Sequence, residues 1–167
     1  MSIDILVATA LLWIGANTIY TNPKPAAAVE FVEVITNSEA PAGAGHIIAG
    51  QYVIKEQKIL MLTGSDMTGR HSMSILIHEL IHHQQFLRMK NDTKKPGYQR
   101  WSVIYLSKDC QIKAIEQEAY RYQIQYLRQM EVEDKPKFFG KNNEQKKVTW
   151  AIESIDKRLK SDEFDCE

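Results

Sequence analysis

His78-Glu79-Leu80-Ile81-His82 constrains this chain more than any other stretch. Two histidines four residues apart project from one side of a helix, and the glutamate one step past the first can lean over the point on which they converge. That geometry requires a helix, and the flanks supply one. Met73, Leu76, Leu80 and Leu87 recur at helical spacing on one face of the stretch from Ser72 to Leu87, with Ile75, His78, Glu79, His82 and Phe86 on the opposite face. The pattern predicts a helix buried on two sides. The preceding Gly64-Ser65-Asp66-Met67-Thr68-Gly69 offers several N-cap residues.

Two imidazoles aimed at one point suit a zinc ion, and a hydrolytic zinc site takes three protein ligands and leaves a fourth position to water. The third ligand has to come from elsewhere. The segment from Cys110 to Met130 reads as a second long helix, in which Ile112, Glu116, Ala119, Tyr120, Gln123 and Leu127 share a face. Glu118 points about 200 degrees away from Glu116 at about 100 degrees per residue, so only one of the two can join Tyr120 at a metal. Glu116 is the choice. The competing reading is a metal-free core with two packed histidines and Glu79 at the surface.

These residues resemble the gluzincin group of metallopeptidases, in which the His-Glu-x-x-His helix is completed by a glutamate on a later helix. There the ligand glutamate opens a Glu-x-x-Ala-Asp or Glu-x-x-Ala-Asn pattern, of which Glu116-Gln117-Glu118-Ala119-Tyr120 looks like a Tyr-ended version. The chain is also similar to small bacterial domains carrying His-Glu-Leu-x-His-His-x-Gln and a later Cys with Glu-x-Glu-Ala-Tyr-x-x-Gln. Here those motifs are His78 to Gln85, Cys110, and Glu116 to Gln123, and the likeness spans roughly residues 45 to 130. It implies a zincin-like fold, Zn2+ held by His78, His82 and Glu116, and a peptide or protein substrate. In zincins the strand before the active helix is typically the sheet edge that receives the substrate, which would make Ile59 to Leu62 a site of strand addition.

With zinc in place, Glu79 acts as general base toward a metal-polarised water and passes the proton to the leaving amine. Tyr120, His83, Tyr98 and Arg100 are the candidate oxyanion donors, with Tyr120 named as catalytic beside Glu79. His83 stands 100 degrees from His82 and is expected to bond a neighbour instead of the metal. His46 and His71 are expected to be non-ligands.

With 167 residues, 21 basic and 21 acidic side chains, the chain can build one core and has no excess positive charge for a nucleic-acid partner. It shows no internal repeat and no phosphate-cradling glycine loop. Lys90, Lys94, Lys95, Arg100 and Lys108 gather between the two helices, as in a solvated loop. Residues 1–20 are almost wholly apolar from Ile3 to Ile19 and predict an export signal or membrane anchor, with cleavage near Ala16 or within Ala26-Ala27-Ala28, and hence an exported or membrane-anchored protein. A buried N-terminal helix is the alternative. Cys110 and Cys166 either pair or stay as two thiols.

The remaining elements complete an α+β domain over residues 46–160. Residues 21–45 begin as a linker and contain a first strand at Val29 to Ile35. His46 to Ile54 and Lys58 to Leu62 form a hairpin about Lys55-Glu56-Gln57 in a mostly antiparallel sheet. A C-terminal helix from about Asn143 to Lys160 buries Val148, Ile152, Ile155 and Leu159, and residues 161–167 are an acidic tail. The rival to catalysis is a non-catalytic binding module, exported or membrane-tethered, with a structural or vestigial zinc site. The sequence leaves substrate identity and oligomeric state open.

Overall fold

A computed structural model describes residues 2–33, 49–62, 69–90, 110–133 and 143–160, with the side chains of 110–113, 132–133 and 143–144 excepted. Among the described residues, four helices and a three-stranded sheet make an α+β arrangement in which one central helix meets the sheet and the other helices. The elements are α1 (Ile3–Asn17), β1 (Ala28–Val32), β2 (Gly50–Val53), β3 (Lys58–Leu62), α2 (Arg70–Lys90), α3 (Cys110–Glu133) and α4 (Asn143–Leu159). His46, Tyr98, Arg100, Cys166, the acidic tail and most of the lysine-rich stretch lie outside the described residues, as does the side chain of Cys110.

The sheet differs from expectation in two ways. Its order is β1-β3-β2, with β1 parallel to β3 and β2 antiparallel, so it is mixed and not mostly antiparallel. Ile59 to Leu62 therefore lie in the central strand, where Ile59 faces Val29 on one side and Tyr52 on the other. Strand addition there is blocked because both edges of β3 are already paired. The β2–β3 hairpin could be read from local spacing, whereas the return of β1 to the far side of β3 is a non-local pairing with no local signal. Gln57 closes the hairpin at φ 50, and its carbonyl accepts the Ala27 N–H at 2.8 Å, fixing the start of β1.

The edge of the sheet nearest the histidine helix is β2. Leu62 N–H donates to the Ala49 carbonyl at 3.0 Å, so the antiparallel alternation turns the backbone groups of Gly50 and Tyr52 away from β3. Those groups face α2.

Every residue of α2 from Ser72 to Phe86 is buried, because α1, α3, α4 and the sheet surround it. Ile77, Leu80 and Ile81 are sealed completely. Eight polar residues share this burial: Ser72, Ser74, His78, Glu79, His82, His83, Gln84 and Gln85. A polar group without a partner in such a place costs roughly 1–3 kcal/mol, so this helix is stable only if its neighbours supply partners.

α1 packs on α2 through Leu6, Ala10 and Ile14, and Trp13 sets its ring edge-on to Tyr126 while donating to Gln129 at 2.7 Å. Ile5, Leu12 and Ile19 lie on exposed positions of the same N-terminal stretch. Among the described residues no helix is long and apolar enough to cross a membrane. In α4 the buried stripe is Val148, Ala151 and Ile155, with Ile152 and Leu159 only partly covered. Trp150, Ser154 and Arg158 of α4 line a cleft together with His78 and Glu79 of the histidine helix.

Candidate metal centre

Helical spacing brings His78 and His82 together with their Nε2 atoms 3.1 Å apart. Glu116 arrives from α3 with one carboxylate oxygen 3.3 Å from His82 Nε2 and the other 3.5 Å from His78 Nε2. Zinc bonds of roughly 2.0–2.1 Å at tetrahedral angles place neighbouring donor atoms about 3.3 Å apart. Each of these three contacts is close to that spacing, those of Glu116 through separate oxygens, and one ligand atom from each residue lies within 4.8 Å of the other two, so the group could hold a metal ion.

The tautomer of His82 follows from its surroundings. Gln85 Nε2 donates to the Ile115 carbonyl at 3.0 Å and to Glu118 Oε2 at 2.9 Å, two groups that can only accept. The amide is thereby fixed, and its Oε1 faces His82 Nδ1 at 2.9 Å. Nδ1 must carry the hydrogen, which leaves the Nε2 lone pair aimed at His78 and Glu116. Among the described residues the buried Nδ1 of His78 has no hydrogen-bond partner, so His82 is the better anchored imidazole.

Acceptors converging in a buried place require a cation between them, a proton at the least. Burial works against charge on His82, but the Glu116 carboxylate prevails and pushes its pKa up to about 9. Burial likewise opposes ionisation of Glu116, and His82 and His78 outweigh it, holding the carboxyl well below the usual range.

Glu79 is buried beside this group. Burial pushes its carboxyl up; His78 and His82 oppose that rise, Glu116 adds to it, and the backbone N–H of Tyr52 on β2 favours the charged form. Glu79 also borders a cleft of about 360 Å3 shared by Gly50, Ile75, His78, Tyr120, Trp150 and Arg158, among others. Tyr120 lies with its ring 4.6 Å from that of His78, and its hydroxyl accepts a hydrogen bond from Arg158, whose guanidinium sits 4.8 Å over the same ring. His78 belongs to both the donor group and the cleft wall, so the metal group opens to the cleft on that side.

Gly50 is required by the approach of β2 to α2. A Cβ there would fall 2.6 Å from Ile75 Cγ2 and 3.1 Å from Glu79 Cγ. Gly50→Ala should destabilise the fold by about 1–3 kcal/mol, as overpacking does. Thermal unfolding checks this; a variant of unchanged stability would show that the close approach is not needed.

His83 turns away from the metal group. Its ring bonds the Pro25 backbone, which offers only a carbonyl, so the imidazole donates there and Nδ1 accepts from the Tyr52 hydroxyl at 2.9 Å. Burial keeps its pKa down. His71 lines the cleft with its ring edge-on to Trp150.

Sequence reasoning missed the cleft wall supplied by α4, above all Trp150 and Arg158, because a terminal amphipathic helix carries no motif. Gln85 carries no role in the motif; its position three residues past His82 is the available signal, since that spacing shares a helix face. No protein-family model, curated protein or solved structure matches the chain.

Proposed function

We propose that this chain is a zinc-dependent peptide hydrolase, a minimal zincin-like domain of the gluzincin kind. The reading rests on one observation: two imidazoles and a carboxylate whose ligand atoms lie within 4.8 Å of one another, beside a cleft that also presents a buried glutamate. His78, His82 and Glu116 hold the ion. Bound zinc supplies a Lewis acid that polarises a carbonyl and acidifies a water.

The protein's own groups do the rest. Glu79, steadied by the Tyr52 N–H, takes the proton of the attacking water on its carboxylate and returns it to the leaving nitrogen. Arg158 polarises the Tyr120 hydroxyl toward donation to the developing oxyanion. The substrate enters through the cleft that Ala49 and Gly50 border, and not by pairing with β3.

Zinc content measured together with a peptide-library digest tests the reading. Stoichiometric zinc and cleavage are expected; a zinc-free protein, or a zinc-loaded one that cuts nothing in the library, would contradict it. Tyr120→Phe should lower kcat about a hundredfold while leaving KM and zinc content unchanged, as the loss of an oxyanion donor does. Unchanged kcat would remove Tyr120 from the mechanism.

A further inference from the structure

The stretch between α1 and β1 is stitched to the back of the metal group, on the side away from the cleft. Three consecutive α2 residues grip it or its partners. Gln84 Oε1 accepts the Lys24 N–H at 2.9 Å, and its Nε2 donates to the Lys24 carbonyl at 2.7 Å. His83 holds Pro25. Gln85 holds Glu118 Oε2, while the other oxygen of that carboxylate accepts the Tyr20 hydroxyl at 2.9 Å. Arg88 adds a 3.5 Å contact to Glu118 and lies 5.6 Å over the Tyr20 ring.

We propose that Tyr20 is a positioning residue for the metal: through Glu118 and Gln85 it fixes the His82 imidazole with Nε2 toward Glu116 and His78. The inference rests on the metal reading above. Each link constrains the next. Tyr20 and Arg88 set the plane of the Glu118 carboxylate, that carboxylate and the Ile115 carbonyl set the Gln85 amide, and the amide sets the hydrogen on Nδ1 of His82. Outer partners of ligand histidines typically matter by about 10–100-fold in metal affinity. The last residue of the N-terminal apolar unit thereby supports the metal centre.

The experiment is zinc affinity by chelator competition on the full chain, with the ligand-field spectrum of the cobalt-substituted protein as second readout. Tyr20→Phe keeps the ring beside Arg88 and removes only the hydroxyl. It should weaken zinc about fivefold to tenfold and shift the cobalt bands, and Gln85→Leu should weaken zinc by about 10–100-fold. Tyr122→Phe is the control, since its hydroxyl accepts the neighbouring Ile19 N–H at 3.5 Å but has no part in the chain to His82. It should leave affinity and spectrum unchanged. Equal affinity in Tyr20→Phe and wild type, or equal losses in Tyr20→Phe and Tyr122→Phe, would overturn the role of Tyr20 while leaving the metal reading intact. A wild type that takes up no zinc would overturn both.

Discussion

Glu79→Gln is expected to bind zinc as the wild type does and to lose about a hundredfold to ten-thousandfold in turnover, the usual contribution of a positioned general base. The amide is nearly isosteric with the carboxylate, so the contact with Gly50 survives and the Tyr52 N–H still finds an oxygen. What disappears is the capacity to accept a proton. Burial among Ile75, Gly50 and the metal group already raises the carboxyl, which makes the charged form a stronger base than an exposed glutamate. Elemental analysis and a steady-state assay on one preparation separate the two effects. Full activity with stoichiometric zinc in this variant would end the proposed mechanism.

His82→Ala should fail at an earlier point, losing zinc and turnover together. The change removes one of three donors and cuts Gln85 from the cluster, so the affinity loss should exceed the roughly 10–100-fold of an outer-shell change. Chelation of the wild type should copy the phenotype, and added zinc should restore the wild type but not the variant. A His82→Ala protein that holds zinc as tightly as the wild type would show that the ion sits elsewhere. Comparing the two substitutions also separates an unfolded protein from an empty site, because Glu79→Gln touches no donor.

The metal group was legible because its information is local. His78 and His82 need only helical spacing, and helical phase sets Glu116 apart from Glu118. The structure places Glu116 at the imidazoles and Glu118 behind them, bonded to Gln85 and Tyr20. The α+β character was legible for the same reason, from helical stripes and a hairpin spaced about Lys55-Glu56-Gln57. Strand order was not, since the pairing of Val29 with Ile59 joins residues 30 apart through a parallel ladder that neither segment announces. The far wall of the cleft was hidden too: Trp150 and Arg158 earn their place by where α4 docks, and docking depends on the whole core. The end of the apolar unit at residues 1–20 and the start of the linker at 21–45 gave no sign of the site, because their bonds run through backbone groups or through a tyrosine with no motif around it.

The grip of Gln84 on Lys24 has a consequence for tracing kin. It touches only main-chain atoms of residue 24, so almost any amino acid could replace that lysine without loosening the clasp. Substitutions there would accumulate unchecked while the glutamine stayed, and a comparison that scores letters would discard a tether that coordinates would reveal at once.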